Sequence, residues 1–136
     1  PRLENSEEED LFFEHFTAWM RACYDANITN IYQWVEEISS RSYGREKQKR
    51  FLAYAIRLIR NGFVLNYQAD ATNGLSEEVE KFLKRFSPFI HGGNVMEISA
   101  LLETAYSRIG RNVYAKILLM DVSMKFANLL RAKFPA

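Results

Sequence analysis

The last long segment of the chain, from about Asn112 to Lys133, has the pattern of a helix with two apolar faces. At about 100° per residue, two seams of apolar side chains lie on nearly opposite sides of this helix. The first seam is Val113, Ile117, Met120, Met124 and Ala127; the second is Ala115, Leu118, Leu119, Val122, Phe126 and Leu129. An amphipathic surface helix needs only one apolar stripe. The second seam therefore requires cover, either from the same domain or from another protein.

Two narrow polar strips separate the seams. One strip is Asn112, Lys116 and Ser123, and the other is Tyr114, Asp121, Lys125 and Asn128. Asp121 precedes Lys125 by four residues, a spacing that allows an ion pair along the helix. Such a pair suits a solvent groove or a contact between proteins, and we favour the contact.

The composition restricts the classes of protein to which the chain can belong. A length of 136 residues suffices for one domain with its own core and is short for two. The ten Phe, seven Tyr and two Trp residues argue against disorder. Because the 18 basic residues nearly balance the 17 acidic ones, the overall charge does not indicate a dedicated nucleic-acid binder.

The expected cellular compartment and the expectation of no membrane span also follow from composition and sequence pattern. A single cysteine, Cys23, excludes an internal disulfide and indicates a reducing, cytoplasmic compartment. The apolar runs are far shorter than the roughly 20 residues of a membrane span, and the polar start has no signal-peptide pattern. Since the chain does not begin with Met, we expect it to be an excised portion of a longer polypeptide.

The hydrophobic periodicity is helical almost throughout, and no strand-like alternation competes with it. Helices are predicted over residues 7–24, 30–40 and 46–67, after caps at Ser76 and Asn94, and over residues 112–133. Ser6 and Glu9 are spaced as a capping box at the first helix start. Gly62 lies inside the third helix at a cost of about 1 kcal/mol relative to Ala, which favours a close helix crossing there. The sequence predicts one all-α domain of about six helices, residues 1–136.

The core of this domain can be predicted in the same way. The inward residues are expected to be Phe12, Phe16, Trp19, Met20 and Cys23 on the first helix, Ile31, Trp34, Val35 and Ile38 on the second, and Phe51, Leu52, Ala55, Leu58, Ile59 and Phe63 on the third. His15 and His91 have no metal-ligand spacing and are interpreted as structural. We predict no catalytic residue, no metal site and no cofactor.

A basic face on the third helix is the second candidate site. Lys49, Arg50, Arg57 and Arg60 occupy the sector opposite the predicted core. Such residues can bind phosphates through counterion release, so a helical nucleic-acid-binding module is an alternative function. No aromatic side chain on that sector offers a stacking platform. A solvated face or a salt-bridged subunit contact is therefore favoured over nucleic-acid binding.

Several segments, taken in order, resemble one known family. They are Trp34–Ile38, Gly44–Tyr54, Arg57–Arg60, Phe82–Ile90, Asn94–Val95 and Asn112–Lys116. This order resembles the C-terminal region of the clamp-loader delta-prime subunits of bacterial DNA polymerase III, in their Bacteroidetes-like form. The Asn112 and Lys116 pattern also occurs in related clamp-loader subunits.

The resemblance implies a function in assembly. In clamp loaders, the C-terminal helical domains of five subunits form a collar that holds AAA+ ATPase modules, and these modules load the sliding clamp onto primed DNA. The expected partners are the other clamp-loader subunits, with DNA contacted only through the full complex. No membrane and no small-molecule substrate is expected. The family's nucleotide-binding and zinc segments have no matching positions here, so we expect no enzymatic activity from this chain, although the parent polymerase complex is a nucleotidyltransferase.

The expected subunit contact lies on the final helix. We predict that it includes part of the first seam and the adjacent charged pair. The candidate interface residues are Val113, Ile117, Met120, Asp121, Met124 and Lys125. A third hypothesis, a small helical enzyme or ligand-binding bundle, requires a buried cluster of perturbed titratable groups in a cleft, and the sequence offers no obvious one.

Overall fold

The computed structural model describes the backbone of residues 2–111 and 114–132 and the side chains of residues 7–111 and 114–132. Over these residues the fold is all-α, with six α-helices and no strand, as predicted. The helices are α1 (Arg2–Tyr24), α2 (Ile28–Ile38), α3 (Arg45–Leu65), α4 (Glu77–Phe86), α5 (Val95–Ile109) and α6 (Ala115–Leu130). Short 3-10 helices at Ala69–Thr72 and Ser87–Phe89 lie before and after α4. No described helix is long and apolar enough to cross a membrane.

The helices surround one continuous hydrophobic core. Helix α1 packs against α2, α3 and α6, while α5 packs against both α3 and α6, and α4 lies on α3. The inward residues predicted for the first three helices are buried, except Phe63, which is partly buried. The periodicity of the sequence therefore places the core correctly.

Trp19 lies at the centre of this core and is fully buried. Its ring stacks on Trp34 of α2, with centroids 4.6 Å apart and planes 2° from parallel. It also contacts Phe126 of α6 at 4.8 Å and Phe51 of α3 at 6.0 Å between centroids. The indole N–H donates a hydrogen bond of 2.9 Å to the Ser123 hydroxyl. One side chain thus joins four helices.

Helices α1 and α2 begin earlier than predicted, and α6 begins at Ala115, later than the predicted start near residue 112. Helix α1 begins at Arg2, so Ser6 lies inside the helix and the predicted capping box is wrong. Arg, Leu and Glu at positions 2–4 are good helix formers, and no Gly or Pro interrupts them. Helix α2 begins at Ile28, earlier than predicted, because the Asn27 side chain accepts a 3.0 Å hydrogen bond from the N–H of Asn30.

The two predicted caps have different outcomes. The Ser76 hydroxyl accepts a hydrogen bond from the N–H of Val79 at 3.3 Å and caps α4, as predicted. Asn94 precedes α5 but makes no capping bond, so the predicted cap is wrong. Its buried amide instead donates to the carbonyls of Phe89 and Leu129, both at 2.9 Å. Asn94 therefore ties the start of α5 to the C-terminal end of α6.

Gly62 is buried where α3 meets α4. A Cβ atom built there would lie 3.5 Å from the Phe86 ring and 3.8 Å from Leu83. Both are ordinary van der Waals distances. The contact is close, as expected, but it leaves room for a methyl group.

We therefore predict that Gly62→Ala raises the free energy of unfolding by about 0.5–1 kcal/mol, because alanine restricts the unfolded chain and favours the helix. Urea titrations would measure the change. Gly74 provides the matched control: its φ of 88° is strained for alanine, so Gly74→Ala should lower stability. A Gly62→Ala protein less stable than wild type would contradict the prediction.

Ser123→Ala is predicted to lower the free energy of unfolding by about 1–3 kcal/mol, because it leaves the buried Trp19 N–H without its acceptor. Urea titrations monitored by tryptophan fluorescence would report this loss. Ser107 is exposed on α5, so Ser107→Ala serves as the control and should change stability by less than about 0.5 kcal/mol. Equal effects from the two variants would contradict the assigned role of the indole hydrogen bond.

Candidate interaction surface

The second seam of α6 faces the core. Leu118, Leu119, Val122 and Phe126 are buried, whereas Ala115 and Leu129 are partly buried against the same core. Ser123, predicted to lie in a polar strip, is also fully buried. That prediction is wrong because the Trp19 indole gives the hydroxyl a partner inside the core. The inner face of α6 is therefore wider than the apolar pattern alone indicates.

The first seam of α6 lies only in part on the outside of the domain. Ile117 is 65% exposed and Met124 is 41% exposed. Met120 is partly buried against the core. Ala127 is buried, because the C-terminal end of α6 is drawn onto the domain by the Asn94 bond to Leu129. Val113 lies outside the described residues.

Ion pairs border this outer face. Asp121 and Lys125 form the predicted pair, with 2.9 Å between carboxylate and ammonium, and both side chains are more than half exposed. On the other border, Lys116 pairs with Glu36 of α2, and its Nζ lies 4.9 Å from the centroid of the Tyr32 ring. The hydrogen bond between Lys116 and Glu36 lowers the pKa of Glu36 and raises that of Lys116.

Helix α2 runs antiparallel to α6, and two contacts fix this direction. Lys116, near the start of α6, meets Glu36 near the end of α2. Arg131, just after α6, donates a 3.2 Å hydrogen bond to the carbonyl of Tyr24, just before α2. Tyr32 and Ile28 precede Glu36 by one and two turns, just as residues 120 and 124 follow Lys116.

An exposed apolar surface results from this arrangement, and we name it the α2–α6 strip. It consists of Ile28, Tyr32, Ile117, Met120 and Met124. Ile28 is 52% exposed and Tyr32 is 43% exposed. Sequence reasoning missed the contribution of α2, although the spacing of these two residues by four places them on one side of a helix. The sequence does not reveal that the side of α2 carrying Ile28 and Tyr32 lies next to α6.

The predicted basic face is less uniform in the structure than in the sequence. Arg50 forms two hydrogen bonds with the Glu8 carboxylate, at 2.9 and 3.0 Å, which join α3 to α1. Lys49 is partly buried, with its Nζ 5.5 Å from the centroid of the Tyr106 ring. Arg57 lies over the Tyr54 ring, 5.7 Å from its centroid, so three of the four predicted residues make contacts within the domain.

Arg50, Arg57 and Arg60 line an open groove of about 670 Å³ between α1, α3 and α5. Glu9 and Glu103 line the same groove, and Phe12 contributes to its apolar surface. Acidic side chains therefore lie beside the arginines, which reduces the positive potential available to a phosphate. Binding of nucleic acid by this face stays a prediction.

The histidines make hydrogen bonds of the kind expected of structural residues. Buried His15 lies 3.1 Å from the Tyr43 hydroxyl and 3.2 Å from the Glu37 carboxylate. Burial, and then the charge of Glu37, raise the pKa of Tyr43. The Nε2–H of His91 donates a 3.0 Å hydrogen bond to the carbonyl of Ala132. Within the described residues, no group of His, Cys, Asp and Glu side chains is arranged to hold a metal ion.

Comparison of the chain with protein-family models, with curated proteins and with solved structures gives no match. The evidence on function is then the surface chemistry described above and the order of the six segments between Trp34 and Lys116 that carry the family resemblance.

Cys23 is fully buried, and burial raises its pKa from 9.0 to about 12. The unfolded thiol ionises near pH 9, while the native thiol keeps its proton. The resulting stabilisation is complete below pH 9 and is lost as the pH rises toward 12. We predict that Cys23→Ala makes the free energy of unfolding fall less steeply with pH over this range.

Urea titrations at a series of alkaline pH values would measure the two slopes. Burial also raises the pKa values of Tyr43 and Tyr54. The free energy of unfolding therefore still falls with rising pH in both proteins. Equal slopes in the wild type and the Cys23→Ala variant would contradict the prediction.

Proposed function

We propose that this chain is an assembly domain, the helical collar domain of a clamp-loader subunit of the delta-prime type. In this role it binds the other clamp-loader subunits and keeps the AAA+ modules together in a ring. It contacts DNA only through the complete complex, and it uses no cofactor. The segment order from Trp34 to Lys116 supports the family, and the outer face of α6 supports the role in assembly.

The exposed part of the first seam of α6, Ile117 and Met124, is the observation that carries this proposal. The second seam already completes the core through Leu118, Leu119, Val122 and Phe126. Ile117 and Met124 therefore remain exposed without serving the domain's own packing. Contiguous exposed apolar side chains on a small domain are typical of a protein contact, and this agrees with the position of a collar domain between two neighbouring subunits.

The chemistry of the surface agrees with the same role. Protein interfaces have a centre poor in charge and rich in Met and aromatic residues, surrounded by a polar rim. Met120, Met124 and Tyr32 provide such a centre, and methionine adapts readily to the shape of a partner. The paired charges Asp121 and Lys125 lie where a rim is expected.

The decisive variant replaces the two most exposed seam residues. Ile117→Lys combined with Met124→Lys should weaken association with the other clamp-loader subunits by at least about tenfold, because burying two unpaired ammonium groups is costly. Met120 is left unchanged because it contributes to the core. The full-length gene product would be co-expressed with those subunits and its association measured by co-purification and titration.

Met96→Lys is the matched control, because Met96 is 79% exposed on the first turn of α5; it should leave association unchanged. Circular dichroism should show the same helix content in all variants. Unchanged association of the double variant would contradict the role of this seam. A well-folded wild-type protein that binds none of the clamp-loader subunits would contradict the proposed function itself.

A further inference from the structure

A pocket of about 360 Å³ lies between α1, α3 and the start of α4. This volume is within the range of small-molecule sites. All three elements contribute to its apolar wall, which consists of Phe13, Leu58, Leu75 and Val79. Its polar groups come from one face of α3 and from the N-terminal half of α1. An apolar wall with a few convergent polar groups is typical of a ligand site.

The hydroxyl of Tyr54 belongs to this wall and has no partner. Tyr54 is 6% exposed and lines the pocket. Among the residues that the structure describes, its hydroxyl neither donates nor accepts a hydrogen bond. No fully enclosed side-chain oxygen or nitrogen of these residues lacks a partner, so the hydroxyl opens into the pocket. A deeply placed polar group without a bond gains most from a ligand that supplies one.

Three charged side chains lie within electrostatic reach of that hydroxyl. Burial raises the pKa of Tyr54, and the carboxylates of Glu9 and Asp10 raise it further, whereas the guanidinium of Arg57 lowers it. All three line the pocket, although Glu9 and Arg57 also border the groove of about 670 Å³. Arg57 is held over the Tyr54 ring, and neither carboxylate forms an ion pair with a described residue. Two carboxylates against one guanidinium give the pocket a negative potential.

This arrangement favours a ligand with one positive charge on an apolar chain. An anion would be repelled by the carboxylates of Glu9 and Asp10. The described His, Cys, Asp and Glu side chains include no group arranged to hold a metal ion, so an organic cation fits better. An ammonium group has three donors and no acceptor, which suits two carboxylates and a phenol oxygen. Its aliphatic chain would cover the apolar wall at Leu75 and Val79.

We infer that this pocket binds a primary ammonium carried on an aliphatic chain, with Tyr54, Glu9 and Asp10 as the hydrogen-bond acceptors. A lysine side chain of another protein and a free alkylamine share this chemistry. The inference goes beyond the proposed role in assembly and does not depend on it, since no residue of α2 or α6 lines the pocket.

Titration of the full-length gene product with pentylamine near pH 7, followed by ligand-observed NMR, is the direct test. Saturable binding with a dissociation constant of about 1 mM is expected of so small a ligand. Pentanoate has a chain of the same length and the opposite charge, and it should not bind. A lack of saturable amine binding, or tighter binding of pentanoate, would overturn the inference.

Tyr54→Phe removes the hydroxyl and keeps the buried ring. Because this hydroxyl has no partner within the domain, the midpoint of urea unfolding should stay unchanged, whereas amine binding should weaken by at least about fivefold. Tyr67 is 68% exposed after α3, so Tyr67→Phe is the matched control and should leave binding unchanged. Equal affinities of the Tyr54→Phe variant and the wild type would overturn the role of the phenol.

Charge variants test the sign of the ligand. Glu9→Gln combined with Asp10→Asn should weaken amine binding by at least about tenfold, and Arg57→Gln should strengthen it by about threefold, because a repelling charge is removed. Glu97→Gln combined with Asp25→Asn neutralises the same two residue types at exposed positions and should change the affinity by less than about twofold. Weaker binding in Arg57→Gln, or equal losses in the two double variants, would overturn the assigned site.

One further ligand separates the two sources of the ammonium group. Nα-acetyl-lysine methylamide carries the same ammonium and chain together with the flanking amides of a peptide. Binding as tight as that of pentylamine would assign the pocket to a lysine side chain of a partner protein. Binding weaker by at least about tenfold would show that the pocket excludes the peptide backbone, and would assign it to a free alkylamine. Failure of both ligands would overturn the inference and leave the proposed function intact.

Discussion

The hydrogen bond between the Trp19 indole and the Ser123 hydroxyl, 2.9 Å long and fully buried, fixes the rotation of α6 about its own axis. A helix with two apolar seams can bury either one, since the hydrophobic effect is not directional. A buried hydrogen bond is directional, and its loss leaves an unsatisfied donor. Ser123 must therefore face α1, and this orientation turns the Leu118, Val122 and Phe126 side inward.

The outward direction of the other seam follows from the same bond. With Ser123 facing Trp19, Ile117 and Met124 point away from the core and stay exposed. At the C-terminal end of α6, the Asn94 amide bonded to Leu129 draws the helix closer, and Ala127 becomes buried there. The exposed apolar surface is thus confined to the N-terminal two thirds of α6, beside Ile28 and Tyr32 of α2.

Periodicity was sufficient to predict the six helices and most of the core, because burial of an apolar face is a property of each helix by itself. Periodicity could not decide which of the two seams of α6 is buried, since both are apolar and only the tertiary contact with Trp19 distinguishes them. Ser123 and Asn94 were misassigned for a related reason. A short polar side chain has the same sequence signature at a cap, on a surface or inside a core. The partner of Ser123 lies 104 residues away and the Leu129 carbonyl that Asn94 binds lies 35 residues away, so neither contact leaves a local trace in the sequence.

The separation of core and outer face has a consequence for assembly. Trp19, Trp34 and Phe126 complete the core without help from Ile117 or Met124, so the domain does not need a partner in order to bury its own centre. Binding energy can then come from apolar surface already held on rigid helices, at a small cost in ordering. The ion pairs Lys116–Glu36 and Asp121–Lys125 are formed within the domain, and they therefore discriminate against charged competitors more than they attract a partner. For the proposed role in assembly, shape and apolar contact at the α2–α6 strip would then contribute more than long-range attraction.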